Sequence, residues 1–419
     1  MASPSVASQA HTPSRPGNKA NARQKLPARW KHILCLDDFD KAARRHLPWP
    51  VYSYIAGAAE TNQSFRANRE AFGQYEFIPR VLVDITQRDT GTRLLGQRFD
   101  ASFGIAPMGL AALSAYRGDI ALAAAAHREN IPFVMSGSSL IRLEDVIQVN
   151  PDAWFQAYLP GDDDGMLALL DRASTAGYRT LVITLDTPAA ANRENNVRAG
   201  FSIPVRPSVR LAWQGITHPR WLFGTFLRTL AMHGMPHFEN SYATRGAPIL
   251  SPHVERNLGD RGHVNWRHLR MIRAHWKGPL IVKGVLDARD ARQAADEGAN
   301  GVIVSNHGGR QLDGAVAPLR VLPQVVKSCP DIPVMLDSGV RRGSDVLKAL
   351  ALGAKFVFVG RPFSFAASVA GEAGVLHAIE LLKAEVSRNM ALMGVTSIDQ
   401  LEPGCLFSPN TLPFPKDLS

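Results

Sequence analysis

An alternation of short apolar runs with helical patterns, starting near residue 101, restricts the fold of this chain more than any other feature. Each run has the length and the content of branched and aromatic residues expected of a fully buried strand. Eight such strands are predicted, at 102–107, 132–136, 153–159, 180–186, 279–285, 301–305, 333–337 and 356–360. Helical patterns lie between most of them, for example at 119–129, 163–177, 264–276, 287–298 and 343–353.

Strands that alternate with helices indicate the α/β class, and eight units of this kind predict a (β/α)8 TIM barrel. A doubly wound open sheet is the alternative. The even spacing of the units, with polar residues at nearly every strand end, favours a closed barrel. Functional residues of such a barrel are then expected at the carboxyl ends of the strands.

The same alternation predicts how the chain is divided. Residues 1–30 are rich in Ser, Ala, Pro and Gly and are expected to form a disordered basic tail. The barrel domain is predicted to span 31–397, to begin with a mostly helical N-terminal segment at 38–90, and to be followed by a C-terminal tail at 398–419. Strands four and five are separated by more than 90 residues. This excess predicts a long insertion after strand four, at about 189–262.

Composition excludes several classes of protein. The chain of 419 residues is 45% hydrophobic and 20% charged, as in ordinary globular proteins. No uninterrupted apolar run approaches the roughly 20 residues of a membrane-spanning helix. The three cysteines are far apart and show neither a disulfide pattern nor the spacing of a zinc site, so we expect no bound metal. A reducing compartment, the cytoplasm, is therefore expected.

The formal charge of +10 comes partly from the N-terminal tail, whose first 36 residues contain no acidic residue. Its basic residues are Arg15, Lys19, Arg23, Lys25, Arg29 and Lys31. No aromatic residue precedes Trp30, so we expect no binding to nucleic acid. Prolines interrupt the amphipathic helix that an organelle transit peptide needs, which favours a solvated tail over a targeting signal.

Within the insertion, residues 199–238 carry several arginines and aromatic residues but no acid. Two interpretations remain open. The segment forms an interfacial helix with a basic rim that touches a membrane surface, or it packs over the barrel mouth or against a neighbouring subunit.

The string Ser305-Asn306-His307-Gly308-Gly309-Arg310-Gln311-Leu312-Asp313 directly follows the sixth predicted strand. An imidazole three residues from a permanent guanidinium is suited to removing a proton beside a bound anion. The two glycines allow main chain or ligand to approach both side chains closely. We therefore predict the catalytic base at His307.

Other strand ends carry compatible residues. Asp186 follows strand four, and Lys283 lies inside strand five, where a barrel interior would have to supply its counter-charge. After strands seven and eight come the turns Asp337-Ser338-Gly339-Val340-Arg341 and Gly360-Arg361. These two loops are the usual phosphate site of a TIM barrel, and glycine-exposed N–H groups with an arginine suit a phosphate dianion.

These residues resemble the active site of the FMN-dependent L-2-hydroxy acid oxidases and dehydrogenases. The resemblance covers roughly residues 38–397, and the 200–240 segment is most similar to the bacterial lactate and mandelate dehydrogenase branch. The resemblance implies FMN as the cofactor. It also implies the oxidation of a lactate- or mandelate-like L-2-hydroxy acid to the 2-oxo acid, with His307 as base and a hydride or its equivalent passing to flavin N5.

Carried over position by position, the resemblance assigns a role to each site residue. The implied catalytic residues are His307, Asp186, Tyr158 and Lys283. The implied substrate-binding residues are Tyr54, Tyr158, Arg193, His307 and Arg310. The implied FMN-binding residues are Pro107, Met108, Gly109, Ser136, Gln156, Tyr158, Thr184, Lys283, Ser305, Asp337, Ser338, Gly339, Val340, Arg341, Gly360 and Arg361.

Two positions depart from the family pattern. Gly137-Ser138 stands where glycolate oxidases have a bulky Trp, which opens the pocket, and Gly109 stands where several oxidases have Ala. The acceptor of the electrons, a quinone, a cytochrome or oxygen, is left open. An oxidase that releases hydrogen peroxide is thus the alternative function.

Another FMN- or phosphate-binding barrel, similar to inosine monophosphate dehydrogenase, is less expected, because no cysteine lies on a suitable barrel loop. The remaining expectations implied by the resemblance are a homo-oligomer, a tetramer, and a cytoplasmic location with peripheral contact to the inner face of a membrane through 199–238.

Overall fold

The computed structural model describes residues 30–159, 161–206, 208–251 and 261–408. The tail predicted at 1–30 lies outside these residues, apart from Trp30. Residues 252–260 of the predicted insertion and 409–419 of the predicted C-terminal tail also lie outside them.

All eight predicted barrel strands are present, each shorter than the apolar run that predicted it. In chain order they are Phe103–Ile105, Val134–Ser136, Trp154–Ala157, Leu181–Thr184, Leu280–Val285, Gly301–Val304, Val334–Leu336 and Phe356–Val359. Neighbours along the chain pair in parallel, and the eighth strand pairs with the first. The first and second strands meet through a parallel bridge from Ile105 to Phe133 and a 2.8 Å hydrogen bond from Ile105 N–H to the Pro132 carbonyl. The sheet is therefore a closed (β/α)8 barrel, as predicted.

Helices follow every barrel strand, although the insertion delays the fourth. These helices are Ala111–Ser114 with Gly118–Arg128, then Leu143–Val149, Asp163–Ala176, Trp266–His275, Ala288–Asp296, Pro318–Ser328, Gly343–Ala351 and Arg361–Met393. The predicted N-terminal helical segment consists of Leu36–His46, Trp49–Ala56 and Gln63–Gly73.

Large side chains fill the interior of the barrel. They include Trp154, Ile281, Met335, Phe356 and Phe358, all buried. An antiparallel hairpin, Thr92–Leu94 with Gln97–Phe99, packs Leu94 and Phe99 against this cluster. The Phe99 ring lies 6.0 Å from Phe356, which begins the eighth strand. The hairpin therefore covers the end of the barrel where the strands begin.

The last helix, Arg361–Met393, is long and apolar enough to cross a membrane by these two criteria alone. However, 67% of its most apolar stretch is buried inside the protein, where it packs against the helices Leu36–His46 and Gly118–Arg128. Its backbone leaves the helical conformation at Ala370 and Gly371. These properties are those of a core helix.

Polar contacts fasten the N-terminal helices to the carboxyl end of the barrel. The Asp313 carboxylate accepts hydrogen bonds from Thr61 and from the Ser64 main chain. Asn68 and Asn306 form a reciprocal pair of amide hydrogen bonds at 2.8 and 2.7 Å while buried. The string at 305–313 therefore also anchors the N-terminal segment.

The predicted C-terminal tail at 398–419 is wrong for the part that is described. Residues 398–405 contain two short 3-10 turns, Ile398–Gln400 and Pro403–Cys405. Leu406–Phe407 then pairs with Glu76–Phe77 as an antiparallel ribbon. The packed chain thus extends to at least Ser408. The sequence did not indicate this strand, because two residues are too few to produce a recognisable pattern.

The described part of the insertion after strand four contains several short helices, joined by irregular segments. Its elements are Glu194–Ala199, Val209–Thr217, Pro219–Trp221, a π-helical stretch at Leu222–Leu227, and Arg228–His233. Trp221 is only 5% exposed and donates from Nε1 to the Leu113 carbonyl at 2.9 Å. Trp213 and Phe223, at 62% and 66%, face outward. The segment therefore packs on the barrel through one face and leaves the other uncovered.

Gly394, which ends the last helix in the left-handed region (φ 68°, ψ 37°), tests how tightly that helix end is packed. A Cβ added there would lie 2.6 Å from the Arg80 carbonyl oxygen. We expect Gly394→Ala to destabilise the protein by about 2–4 kcal/mol, since left-handed strain and a main-chain clash add.

Gly177→Ala is the matched control, because Gly177 also ends a helix with positive φ, but its nearest new contact would be an ordinary 3.8 Å. It should lose only about 1–2 kcal/mol. Chemical denaturation of both variants checks the difference, and equal losses would contradict the packing at Gly394.

Candidate active site

A cavity of about 540 Å³ opens at the carboxyl end of the barrel. This volume is within the usual range of small-molecule and cofactor sites. Residues from the strand ends, the N-terminal helices and the insertion all contribute to its wall. The fold therefore brings together segments that are more than 300 residues apart in the sequence, from Tyr54 to Ser364.

The centre of the site is a pair formed by His307 and Asp186. Nδ1 of His307 lies 2.8 Å from Oδ1 of Asp186, and both side chains are largely buried. His307 adopts a left-handed backbone conformation, with φ of 58°, and its main-chain N–H donates to Ser305 Oγ at 3.0 Å. The turn thereby directs the imidazole from the end of strand six towards the end of strand four.

The electrostatics of this pair set its protonation. Burial lowers the pKa of His307 below its usual value, and the negative charge of Asp186 offsets this only in part. Burial alone would raise the pKa of Asp186, but the charge and hydrogen bond of His307, together with Lys283, lower it overall. Asp186 is therefore ionised and accepts the Nδ1 proton, which leaves the lone pair of a neutral His307 on Nε2.

Lys283 occupies the position inside the barrel that its sequence environment indicated. Its Nζ lies 3.1 Å from Asp337 Oδ2 and donates to Ser305 Oγ at 3.0 Å, entirely buried. Burial lowers the pKa of Lys283, but the charges of Asp337 and Asp186 outweigh burial and raise it overall. A permanent positive charge is thus fixed on the cavity wall.

Arg193 and Arg310 both line the cavity beside His307. Arg193 donates to the Arg310 carbonyl at 3.2 Å and to Gln311 Oε1 at 2.8 Å. Arg310 donates through Nη1 to the carbonyls of residues 54, 55 and 57. Its other two guanidinium nitrogens take part in none of the described hydrogen bonds. Burial lowers the pKa of Arg310 to about 10, so it remains a cation at neutral pH.

Two tyrosines complete this side of the wall. The Arg310 guanidinium carbon lies 5.0 Å from the centre of the Tyr54 ring, which also packs against Phe201. Tyr158 follows the third strand, and burial raises the pKa of its phenol. The Tyr158 hydroxyl is therefore a neutral hydrogen-bond donor at physiological pH.

The turns after strands seven and eight form the other end of the cavity. Ser338 and Gly339 have positive φ, and the helix that starts at Arg361 presents its N-terminus here. Arg341 lies 3.8 Å from Asp37, and burial lowers its pKa. Arg361 uses all three guanidinium nitrogens to bind the carbonyls of residues 55, 57 and 308. In the described contacts, its side chain therefore holds main chain in place.

Most of the predicted site residues line the cavity. Four stand behind the wall instead: Ser136, Gln156, Asp186 and Ser305. Gln156 Oε1 accepts from Ser136 Oγ at 3.1 Å, whereas its buried Nε2 has no partner among the described residues. An unpaired buried amide is unfavourable, so this donor indicates a missing acceptor at the strand ends.

These features fit FMN. The unpaired Gln156 amide and Thr184 provide polar groups, and the strand-one segment Pro107-Met108-Gly109 provides a small, mostly apolar surface for a planar ring. The positive-φ turn at 338–339, the helix N-terminus and Arg341 suit a phosphate dianion.

Several wall residues were not predicted from the sequence. Gln311 accepts a hydrogen bond from Arg193 and donates one to the Asp186 carbonyl at 3.0 Å. Its position within the 305–313 string was the one sequence feature that could have indicated this role. The insertion contributes Arg261 and an apolar group. The apolar insertion residues on this wall include Val197, Phe201, Ile203 and Phe238. Leu110, which follows the first strand, also lines it.

Comparison with known proteins agrees with this geometry. Residues 43–408 match the protein family described as FMN-dependent dehydrogenase. The chain belongs to this family. The match ends at Ser408, where the paired C-terminal strand ends, and includes every residue of the site described above.

Individual members of the family are similar over nearly their whole length. (S)-mandelate dehydrogenase of Pseudomonas putida is 38% identical, over 90% of this chain and 94% of that protein. L-lactate dehydrogenase of Ectopseudomonas mendocina (strain ymp) is 37% identical, over 88% and 97%. The structure of the monotopic membrane protein (S)-mandelate dehydrogenase covers 90% of this chain and all of that chain, with a TM-score of 0.84 and 38% identity. A mandelate oxidase structure covers 90% and 98%, with a TM-score of 0.75 and 33% identity.

The electrostatics of the central pair give a testable titration. We expect His307 to titrate below the ordinary value of 6.5, and Asp186→Asn to lower its pKa further, because the variant removes the charge that opposes burial. Histidine NMR of labelled protein, assigned with His307→Gln, measures both values.

Asp171→Asn is the control, since Asp171 faces the surface residue His275 at 2.6 Å and should leave His307 unaffected. A higher pKa of His307 in Asp186→Asn would contradict the described pair.

Proposed function

We propose that this FMN-dependent dehydrogenase oxidises an L-2-hydroxy acid to the corresponding 2-oxo acid, with His307 as the base. The observation that carries this proposal is the His307–Asp186 pair beside Arg193 and Arg310. A base and two cations at one point of a cavity suit a substrate that carries both a carboxylate and a hydroxyl group. The similarity to mandelate and lactate dehydrogenases supports the same substrate class.

FMN is proposed to lie along the strand ends, between the phosphate turns and His307. The residues that would hold it are those assigned above: the wall at 107–109, the polar group of Ser136, Gln156 and Thr184, and the turns at 337–341 and 360–361. The two electrons that leave the substrate are accepted by FMN when it is bound. Lys283, fixed by Asp337, supplies the positive charge that stabilises negative charge developing on the ring.

The substrate carboxylate is proposed to bind between Arg193 and Arg310. The two Arg310 nitrogens outside the described hydrogen bonds provide a planar pair of donors, and Arg193 adds a second guanidinium from the insertion side. Tyr54, held against Arg310, donates a further hydrogen bond. These contacts orient the substrate before any bond changes.

The proton is proposed to leave through His307. Because Asp186 occupies Nδ1, the lone pair on Nε2 is the group that accepts a proton. The positive charge that then forms on the imidazole is stabilised by the Asp186 carboxylate. Tyr158, neutral at physiological pH, is proposed to donate a hydrogen bond to the substrate hydroxyl region. His307 thus acts chemically, while Asp186 positions it and stabilises its cation.

We propose a large side chain for the substrate. Ser138 stands on the wall in place of a bulky residue, and the lining of the same cavity includes apolar insertion residues such as Phe201, Ile203 and Phe238. Such a pocket favours a side chain larger than the methyl group of lactate, since the area buried on binding grows with the size of the group. We propose an acceptor other than oxygen, and oxygen consumption during turnover would instead identify an oxidase.

Replacing His307 tests the proposed function directly. His307→Gln retains size and hydrogen bonding but takes up no proton, so we expect flavin reduction by substrate to slow by about 10²–10⁴-fold. Anaerobic stopped-flow measurement of flavin bleaching by L-mandelate gives this rate, and the spectrum of the oxidised flavin should barely change.

His275→Gln, at a surface ion pair away from the cavity, is the matched control and should retain the parental rate. A loss smaller than about tenfold in His307→Gln would assign the base to another residue.

We further propose that the uncovered face of the insertion lies in a membrane surface. Val209, Trp213 and Ile216 occupy one exposed face of a helix, and Phe223 and Met232 continue it. The arginines at 206, 210, 220 and 228, in the same segment of the chain, are also exposed. An apolar face with a basic rim is typical of interfacial helices. The monotopic (S)-mandelate dehydrogenase supports this arrangement, whereas the predicted homo-oligomer stays a prediction.

The buried position of Trp221 determines which residues can test the membrane contact. We expect Trp213→Glu with Phe223→Glu to abolish binding to anionic lipid vesicles, because both exposed rings would carry charge into the interface. Vesicle co-sedimentation measures binding, and turnover with a dissolved dye acceptor should survive.

Leu34→Glu with Leu392→Glu, two equally exposed positions elsewhere, is the control and should bind as the parent does. Absence of vesicle binding by the parent protein at low salt would overturn the membrane proposal.

A further inference from the structure

Arg261 is a cation on the cavity wall that has no part in the chemistry described so far. Its guanidinium carbon lies 4.4 Å from the centre of the Tyr158 ring. Its Nη1 lies 3.3 Å from Thr187 Oγ1, and its main-chain N–H donates to the Pro188 carbonyl at 3.2 Å. The residue is thereby fixed against the beginning of the loop that connects Asp186 to Arg193.

The charge environment of Arg261 differs from that of the other wall cations. Lys283 and Arg341 face Asp337 and Asp37, and Arg310 and Arg361 bind main-chain carbonyls. Within the described ranges, Arg261 contacts an aromatic face and a hydroxyl group but no carboxylate. Burial lowers the pKa of Arg261, and the nearby phenols of Tyr158 and Tyr242 offset this only in part. A half-buried guanidinium on a ligand cavity thus has donors available to a ligand.

We propose that Arg261 binds a second anionic oxygen group, carried by the side chain of the substrate, and that the enzyme prefers L-2-hydroxy dicarboxylic acids. This inference rests on the proposed oxidation of 2-hydroxy acids. Arg193 ends the loop that begins at Asp186, whereas Arg261 contacts the first residues of that loop, Thr187 and Pro188. In this proposal Arg193 binds the carboxylate beside the reacting carbon, and Arg261 binds the distant one. A guanidinium fork matches a carboxylate in shape and charge.

The surroundings of Arg261 favour this role over simple support of Tyr158. Phe201, Ile203 and Phe238 lie on the same cavity wall and reduce the access of water. A charge-assisted hydrogen bond is stronger in such a setting than in open solvent. The contact with the Tyr158 ring and the hydrogen bond to Thr187 also hold the Arg261 guanidinium at this wall. Arg261 is therefore held as a pre-oriented anion receptor.

Matched substrates separate the effect of charge from that of size. One pair is L-2-hydroxyglutarate and its uncharged 5-amide, and the other is mandelate with a 4-carboxylate or a 4-carboxamide. In the parent enzyme, kcat/KM should favour the acid by about tenfold to a hundredfold in at least one pair, the range of one charged hydrogen bond. Arg261→Gln should abolish this ratio, and Arg261→Lys should retain part of it.

A binding measurement supports the kinetics if turnover of the variant is poor. Titration of the oxidised flavin spectrum with 2-oxoglutarate and with its 5-amide gives dissociation constants without catalysis. Arg261→Gln should weaken binding of the diacid by at least tenfold relative to the amide. Arg179→Gln removes an exposed charge just before the fourth strand, at the opposite end of the barrel, and should leave both ratios unchanged.

Three results would overturn the inference in distinguishable ways. No preference for the acids in the parent enzyme would exclude a second anion site. An equal loss for acids and amides in Arg261→Gln, with both ratios unchanged, would show that Arg261 only positions Tyr158. If no 2-hydroxy acid of any kind reduced the flavin, the proposed function itself would be wrong, and this inference with it.

Discussion

Two arginines at the barrel mouth hold one short stretch of main chain, and the geometry of the whole site depends on this contact. Arg310 and Arg361 come from the loops after strands six and eight, yet both donate to the carbonyls of Ile55 and Gly57. These carbonyls end the helix Trp49–Ala56, where main-chain acceptors lack helical partners. The arginines supply those partners and fix the helix that carries Tyr54 over the cavity. Without them, one side of the cavity would have no fixed wall.

The same contact explains how Arg310 combines a structural and a binding role. A guanidinium presents five N–H groups in a rigid plane, so one nitrogen can secure main chain while the others face a ligand. Lysine has a single rotatable ammonium group and cannot divide its donors in this way. The buried pairs Lys283–Asp337 and His307–Asp186 follow a different rule, since each basic side chain there has a dedicated carboxylate. The site thus distributes its positive charge between fixed ion pairs and groups whose donors remain available.

The barrel and its central residues were predictable because their patterns are local. Buried parallel strands such as Gly301–Val304 are short apolar runs, and the residues after them project at one rim whatever the rest of the chain does. Contacts between residues that are distant in the sequence leave no such local pattern. Nothing near Leu406 indicates its pairing with Phe77, and nothing near Trp221 distinguishes it from the exposed Trp213. Arg261 was missed for the same reason: a lone arginine in an insertion acquires a role only when folding brings it against Tyr158.

The hairpin that covers the far end of the barrel, together with the aromatic side chains inside it, determines from which side molecules approach the site. Trp154, Phe356 and Phe358 fill the interior, and in the described part of the chain the cavity lies at the carboxyl end of the barrel. Under the proposed function, the substrate and the electron acceptor would therefore approach from the same end, and the two half-reactions would take place in one shared chamber.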